Sequence, residues 1–273
     1  MRDDSDPIVI LLADDDPDDR EMTVKALDKN LMANDLYEVT DGEELLEYLR
    51  HRGKYTPPAL SPVPGLILLD LDNTLYPESR GMDRDIVKRM NEFVAGYLGI
   101  SLAAAYELRR ERARNYSTTL EWLTVEQGFA DPETFFAAVH PEGEEYCLER
   151  DPELARALDA LDLPKAILTN SPSEHARRVL RKLGVADRFS SIFDIRFNSL
   201  RGKPWPEAYH RACESSGVAV EETLFVDDMP KYVRGFMEVG GRALLIDEAG
   251  RFAEAGLPRV SSILELPSYV ASL

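Results

Sequence analysis

Residues 65–76 read GLILLDLDNTLY, four consecutive aliphatic residues running into two carboxylates, Asp70 and Asp72, spaced two apart. A strand covered by helices on both faces is apolar at every position, so Leu66–Leu69 predicts a central strand of a parallel sheet. That strand ends at Asp70. Side chains two apart on extended chain point the same way, so Asp70 and Asp72 can face one ligand. Two close carboxylates do not ionise independently: one can stay anionic as a nucleophile while the other holds a proton for a leaving oxygen.

Downstream of this stretch the periodicity becomes helical. Residues 83–160 carry amphipathic segments broken near Gly99, Gly128–Asp131 and His140–Gly143, with no convincing strand, and 81–160 therefore predict an inserted helical cap. The runs KAILTN (165–170), SSIFDI (190–195), TLFVDD (223–228) and RALLID (242–247) then alternate with helical stretches at 173–183, 204–216 and 229–239. This alternation predicts an α/β fold, a doubly wound parallel sheet built from residues 65–80 and 161–273.

Ligands of such sheets bind at the carboxyl ends of the strands. There the sequence places Asp70 and Asp72, then Thr169, Asn170 and Ser171, then Arg201-Gly202-Lys203 ahead of a helix, then Asp227 and Asp228. Asp227 and Asp228 are hard oxygen ligands of the kind Mg²⁺ takes alongside water and substrate phosphate. Lys203 offers a point positive charge to a phosphate and to Asp70, while the Thr169 hydroxyl and nearby amides, Asn170 included, can donate to phosphoryl oxygens. Pro204 suits the first turn of the following helix. Any one of these motifs is a weak signal, since an Asp at a strand end is usually a cap or turn residue. Four in order at strand ends and helix starts point to one phosphoryl site.

The motifs DLDNTLYP (70–77), ILTNS (167–171), GKP (202–204) and FVDD (225–228) resemble the four motifs of haloacid dehalogenase (HAD) phosphatases, over about residues 65–250. The resemblance implies a HAD-like, Rossmannoid fold with Asp70 as nucleophile and Asp72 as general acid and then base. It further implies Thr169 and Lys203 as phosphate binders, with Asp70, Asp227, Asp228 and the backbone carbonyl of Asp72 around Mg²⁺. DNTLYP followed directly by helices is similar to the pyrimidine 5′-nucleotidase-like branch, which implies a nucleoside 5′-monophosphate as substrate. Where that branch continues its acidic pair with Ser-x-x-Asn, this chain has Met229, Pro230, Lys231 and Tyr232.

Upstream, residues 1–64 hold sixteen Asp and Glu against seven Lys and Arg. They predict a βαβα unit: strands at 7–13 and 37–39, helices at about 17–30 and 42–51, then a loop whose prolines and glycines (51–65) cannot continue either element. ILLADDDPDD (10–19), taken with LILLDL (66–71), resembles the first half of a response-regulator receiver over about residues 7–72. That resemblance implies Asp14 and Asp15 as a metal-binding pair and Asp70 as a phosphoacceptor, hence a second reading of the chain as a phosphorylation-controlled signalling protein. The receiver's later strands have no counterpart. The HAD set is complete, so Asp227 and Asp228 are expected to own the metal slot, and the N-terminal unit to be an appendage whose acidic run favours a helix N-terminus.

Composition narrows the partners. A formal charge of −18 repels phosphate backbones, which argues against a nucleic-acid duplex and leaves a small phosphorylated metabolite received by a metal and local cations. No apolar stretch approaches the roughly 20 residues of a membrane span, and the acidic N-terminus does not read as a secretory signal, so a cytoplasmic location is expected. Cys147 and Cys213 have neither disulfide-framework nor zinc spacing. His51, His140, His175 and His210 are scattered and read as surface or helix-lining residues. Trp122, Phe129, Phe135 and Phe136 read as core, and Arg109, Arg110, Arg112 and Arg114 as a solvated helix face.

Overall fold

A computed structural model describes residues 10–13, 25, 36–40 and 64–273 of the chain, which parts into two compact units between residues 63 and 64. In the first unit β1 (Ile10–Ala13) and β2 (Leu36–Val39) pair in parallel, Ile10 opposite Leu36, within or beside the two strands expected there. Asp14 and Asp15 lie outside the described residues, as do the two expected helices apart from Lys25, which is helical.

The second unit is built on a six-stranded, all-parallel sheet: β3 (Leu66–Leu69), β4 (Lys165–Leu168), β5 (Ser191–Phe193), β6 (Thr223–Asp227), β7 (Arg242–Ile246) and β8 (Arg259–Val260). Their order across the sheet is β5-β4-β3-β6-β7-β8. Strand order reverses at β3, whose Leu69 pairs with Ile167 on one side and Val226 on the other. This is the switch point at which doubly wound sheets open a crevice for ligands. Every residue of β3, β4 and β6 is buried, in keeping with their mostly apolar sequences LILL, KAIL and TLFVD. Leu66, Leu68, Phe225 and Leu245 pack in one core with Tyr209 and Phe236, and the rings of Tyr209, Phe225 and Phe236 meet at 5.2–5.5 Å between centroids.

Between β3 and β4 the chain makes five α-helices, α1 (Met82–Leu98), α2 (Leu102–Arg112), α3 (Thr119–Gln127), α4 (Pro132–Val139) and α5 (Pro152–Asp159). Their ends follow local chemistry. Gly99 and Gly128 stop α1 and α3 at φ of 66° and 68°, a left-handed conformation that costs glycine nothing. The side chains of Ser101, Thr118, Asp131 and Asp151 accept from backbone N–H groups of the helices they precede. Trp122, Phe129, Phe135 and Phe136 are buried, as expected of core residues.

The sheet is flanked by α6 (Ser173–Leu183), α7 (Pro206–Ser216) and α8 (Pro230–Glu238). Helix α7 starts two residues after the expected Pro204, which follows a cis Lys203–Pro204 bond. The first-turn proline is Pro206 instead, and Trp205 before it is extended (φ −64°, ψ 133°), because a residue preceding proline is driven out of the helical region. Strand β8 and the short α9 (Leu266–Val270) had no legible signal in two and five residues. No helix among the described residues is long and apolar enough to cross a membrane.

Candidate active site

The backbone continues the pairing of β3 one residue further, Asp70 N donating to Val226 O at 2.8 Å. It then turns at Asn73, whose φ of 59° is a conformation that Asn tolerates better than other side chains. The turn brings Thr74 Oγ1 to 3.2 Å from Asp70 Oδ2. Asp70 is therefore held at the strand end, almost wholly buried.

Fully buried Lys203 reaches the same point. Its Nζ donates to Asp70 Oδ1 and to Asp227 Oδ2, both at 2.6 Å. The sequence makes Asn170 a phosphate binder, but its side chain is occupied in placing Lys203: Oδ1 accepts from Lys203 N at 2.8 Å and Nδ2 donates to Lys203 O at 2.9 Å. A Cβ at Gly202 would stand 1.9 Å from that Asn170 oxygen, so the clasp requires glycine in the GKP motif. Thr169 is buried beside it, and its Oγ1 accepts from Ser171 N at 3.1 Å, which leaves the hydroxyl proton to donate elsewhere. Asp227 is fixed on its second oxygen by Met229 N at 2.8 Å. Tyr232 accepts from Asn170 Nδ2 at 3.3 Å and lies 5.1 Å from Lys203 Nζ across its ring face. Met229 and Tyr232, which depart from the Ser-x-x-Asn pattern, thus support Asp227 and Lys203 by other means.

Asp70, Asp227 and Asp228 present carboxylate oxygens that all lie within 4.8 Å of one another. One lysine does not neutralise three carboxylates, and the electrostatics show it. Burial, only partly offset by Lys203 and augmented by Asp227 and Asp72, pushes the Asp70 carboxyl up to about 7. Burial together with Asp227 and Asp70 pushes Asp228 up to about 9. Burial also raises Asp227 against the pull of Lys203. A tight set of oxygen donors with unmet negative charge fits a hard divalent cation. The Asp72 carboxylate is not one of the three.

Asp72 instead enters a separate network. Its Oδ1 accepts from Tyr76 OH at 2.6 Å and lies 2.8 Å from His175 Nε2, while Oδ2 accepts from Ser171 Oγ at 3.0 Å. Burial alone would raise this carboxyl, but His175, and then Tyr76, hold it well below the usual carboxylate range. Burial would lower His175, yet Asp72 and Glu144 overcome it and push the imidazole up to about 10. His175 Nδ1 sits 2.5 Å from Glu144 Oε1, and Glu144 is itself bound by Arg89 at 2.5 Å and Arg178 at 3.0 Å. His140, Glu144 and His175 have ligand atoms close enough for a metal, but the two guanidinium groups already satisfy Glu144.

His175 is thus neither at the surface nor a passive lining residue. It is fully buried and joined to the second carboxylate of the DLD motif. The available signal was its place in the first turn of the helix following Thr169-Asn170-Ser171, since such a turn stands over the strand ends. Beside this network a cavity of about 380 Å³ is lined by Asn170, Ser171 and Tyr232 on the sheet side and by Arg109, Trp122 and Phe135 from the helical insertion.

A sequence model of the haloacid dehalogenase-like hydrolases matches residues 64–236, the span that holds all four strand-end motifs. The chain is 28% identical over 164 residues to Phosphatase MT3486 of Mycobacterium tuberculosis, covering 60% of this chain and 66% of that protein. It is 32% identical over 135 residues to haloacetate dehalogenase H-2 of Moraxella sp., covering 45% of this chain and 59% of that one. It therefore spans less than two thirds of either curated relative. The crystal structure of a HAD phosphatase from Thermococcus onnurineus has the same fold, with a TM-score of 0.54 at 20% identity over 76% of this chain and 98% of that one. With its motifs gathered at the switch point of the sheet, the chain belongs to the haloacid dehalogenase-like hydrolase family.

Proposed function

We propose that the protein is a Mg²⁺-dependent phosphomonoester hydrolase acting through an aspartyl-phosphate on Asp70, with a nucleoside 5′-monophosphate as substrate class. The observation that carries this is the separation of the two DLD carboxylates: Asp70 lies on Lys203 in the acidic cluster, Asp72 on His175, Tyr76 and Ser171. One can attack while the other handles a proton. Asp70, Asp227, Asp228 and the backbone carbonyl of Asp72 would hold Mg²⁺, which when bound supplies positive charge against the repulsion between carboxylate and phosphate. Lys203 and the Thr169 hydroxyl receive phosphoryl oxygens, and Asp70 attacks phosphorus in line. The proton for the departing oxygen is held by the Asp72–His175 pair: it rests on His175 while Asp72 is ionised, and reaches the leaving oxygen through Asp72 across their 2.8 Å contact. Asp72 then deprotonates the water that cleaves the aspartyl-phosphate, returning that proton to the pair.

The dehalogenase relative raises the alternative of attack on a carbon bearing a halide. A halide leaves without a proton and a neutral carbon centre calls for no cation, so the Asp72–His175 pair and the three-carboxylate cluster both favour the ester. Asp72→Asn is expected to lower steady-state phosphate release from the best ester in a panel of phosphorylated metabolites by about 10²- to 10⁴-fold. In a receiver-like protein the same change would leave turnover as it was and preserve the lifetime of the acid-labile phosphoprotein. That result would sink the mechanism.

Protons and metal compete for Asp70 and Asp228, whose carboxyls are raised to about 7 and about 9. Below about pH 7 the metal must displace a proton from Asp70, so apparent Mg²⁺ affinity should climb steeply with pH, up to about tenfold per unit for each displaced proton. Calorimetric titration between about pH 6 and pH 8 would show it. A flat profile would mean that the cluster does not bind the ion.

A further inference from the structure

Three arginines from the helical insertion line the cavity, and they are not equivalent. Arg110 pairs with Glu107 at 2.8 Å and Arg112 with Glu126 at 3.0 Å. Arg109 forms no ion pair among the described residues. Its Nε donates to Thr119 Oγ1 at 3.0 Å, and Nη1 to Asn91 Oδ1 at 2.7 Å and Val87 O at 3.4 Å. Among the described residues Nη2 has only the Met90 sulfur, at 2.9 Å, a weak acceptor. Burial holds the guanidinium down at about 10, with Asp83 the one carboxylate opposing it from a distance. The expected solvated face is therefore wrong for this residue: Arg109 is turned inward, clamped on two nitrogens, with its third lacking an oxygen partner.

The insertion's side of the cavity also carries the rings of Trp122, Phe135 and Phe136 beside the hydroxyl residues Ser117, Thr118 and Thr119, while Ser171 and Asn170 mark the end next to Asp72 and Lys203. A phosphate placed at Lys203 leaves this slot to the leaving group. Arginine donates and never accepts, so an oxygen acceptor would satisfy Nη2 whereas an amino group would leave two donors facing each other.

Resting on the phosphatase reading above, we propose that Arg109 is a specificity residue selecting nucleotide esters whose base carries a keto oxygen rather than an amino group at pyrimidine C4 or purine C6. Two matched pairs test this, UMP against CMP and IMP against AMP, because within each pair the leaving 5′-oxygen is the same and one keto oxygen replaces one amino group. The readout is the ratio of kcat/KM within a pair, which cancels any loss common to both esters. For each pair hydrolysed, the wild-type ratio is expected to favour the keto member by at least about tenfold, the value of one hydrogen bond to a charged donor.

Arg109→Gln should bring the ratio close to one, since a carboxamide both donates and accepts. Arg109→Lys keeps a donor-only tip and should retain a keto preference, and it carries the test should the Gln protein fail to fold. Equal use of keto and amino members by the wild type, or a ratio unchanged in Arg109→Gln or lost in Arg109→Lys, overturns the assignment while leaving the phosphatase reading in place. Phosphate release from other monoesters but from none of the four nucleotides overturns the keto–amino selection and the nucleotide substrate class but leaves the phosphatase chemistry, and release from no monoester overturns that as well.

Discussion

Asp70→Asn is expected to abolish turnover, a loss on the order of 10⁶-fold, because the proposed mechanism forms the acyl-phosphate on Asp70 and its remaining machinery acts on that intermediate. The protein should still fold. Asp70 is one of three mutually repelling carboxylates whose only strong partner in the cluster is Lys203, and the amide removes charge from a buried site that has too much of it. Acid-quenched wild-type enzyme incubated with its best ester should carry label from ³²P-phosphate on protein, and the variant none. Labelling that persists in Asp70→Asn would place the nucleophile elsewhere.

Lys203→Met should act on stability as well as rate. The ammonium is wholly buried and binds Asp70 and Asp227 at 2.6 Å each, so its removal leaves two adjacent carboxylates without their cation. Breaking a buried ion pair by removing one partner costs about 3–5 kcal/mol. Loss of the phosphate-binding charge adds a fall of about 10²- to 10³-fold in turnover, the usual effect of deleting one preorganised donor. The stability loss should shrink when Mg²⁺ is present, since a divalent cation among Asp70, Asp227 and Asp228 takes over the neutralisation. Urea unfolding with and without the ion separates the two contributions, and an equal loss under both conditions would show that Lys203 and the metal answer to different carboxylates.

What sequence discloses and what it hides divides along a physical line here. The strands Leu66–Leu69 and Thr223–Asp227 were legible because burial on both faces leaves apolar runs, LILL in one and LFV in the other. Helix α6 was legible to its ends because Pro172 precedes it and Gly184, at φ 77°, stops it. Asp70, Lys203, Asp227 and Asp228 could be grouped because the topology of a parallel sheet sends every strand end to one edge. The contact between His175 and Asp72 has no such rule behind it. The two are 103 positions apart, and a single histidine in an amphipathic helix carries no periodic signature. Arg109 was hidden for a related reason: Arg109 and Arg110 read alike, and which one turns inward is settled by the packing of α2 against its neighbours, with Asn91 and Thr119 waiting to receive it. The start of α7 was misplaced because Pro204 and Pro206 are both plausible first-turn residues, and only the extended Trp205 between them decides.

The position of β3 in the sheet also has a bearing on how the protein is made. It is the first strand of the catalytic unit to be synthesised, yet its two partners are β4, beyond the whole helical insertion, and β6, later still. Until Thr223–Asp227 has emerged from the ribosome, Leu66–Leu69 exposes one unpaired edge of a fully aliphatic strand, and before Lys165–Leu168 it exposes both. Non-local pairing of this kind is slow to form and leaves sticky edges in the meantime. Completion of the sheet around β3 therefore waits on a strand made about 150 residues later, and a nascent chain that ends anywhere before β6 carries the DLD motif on a strand with one edge still open.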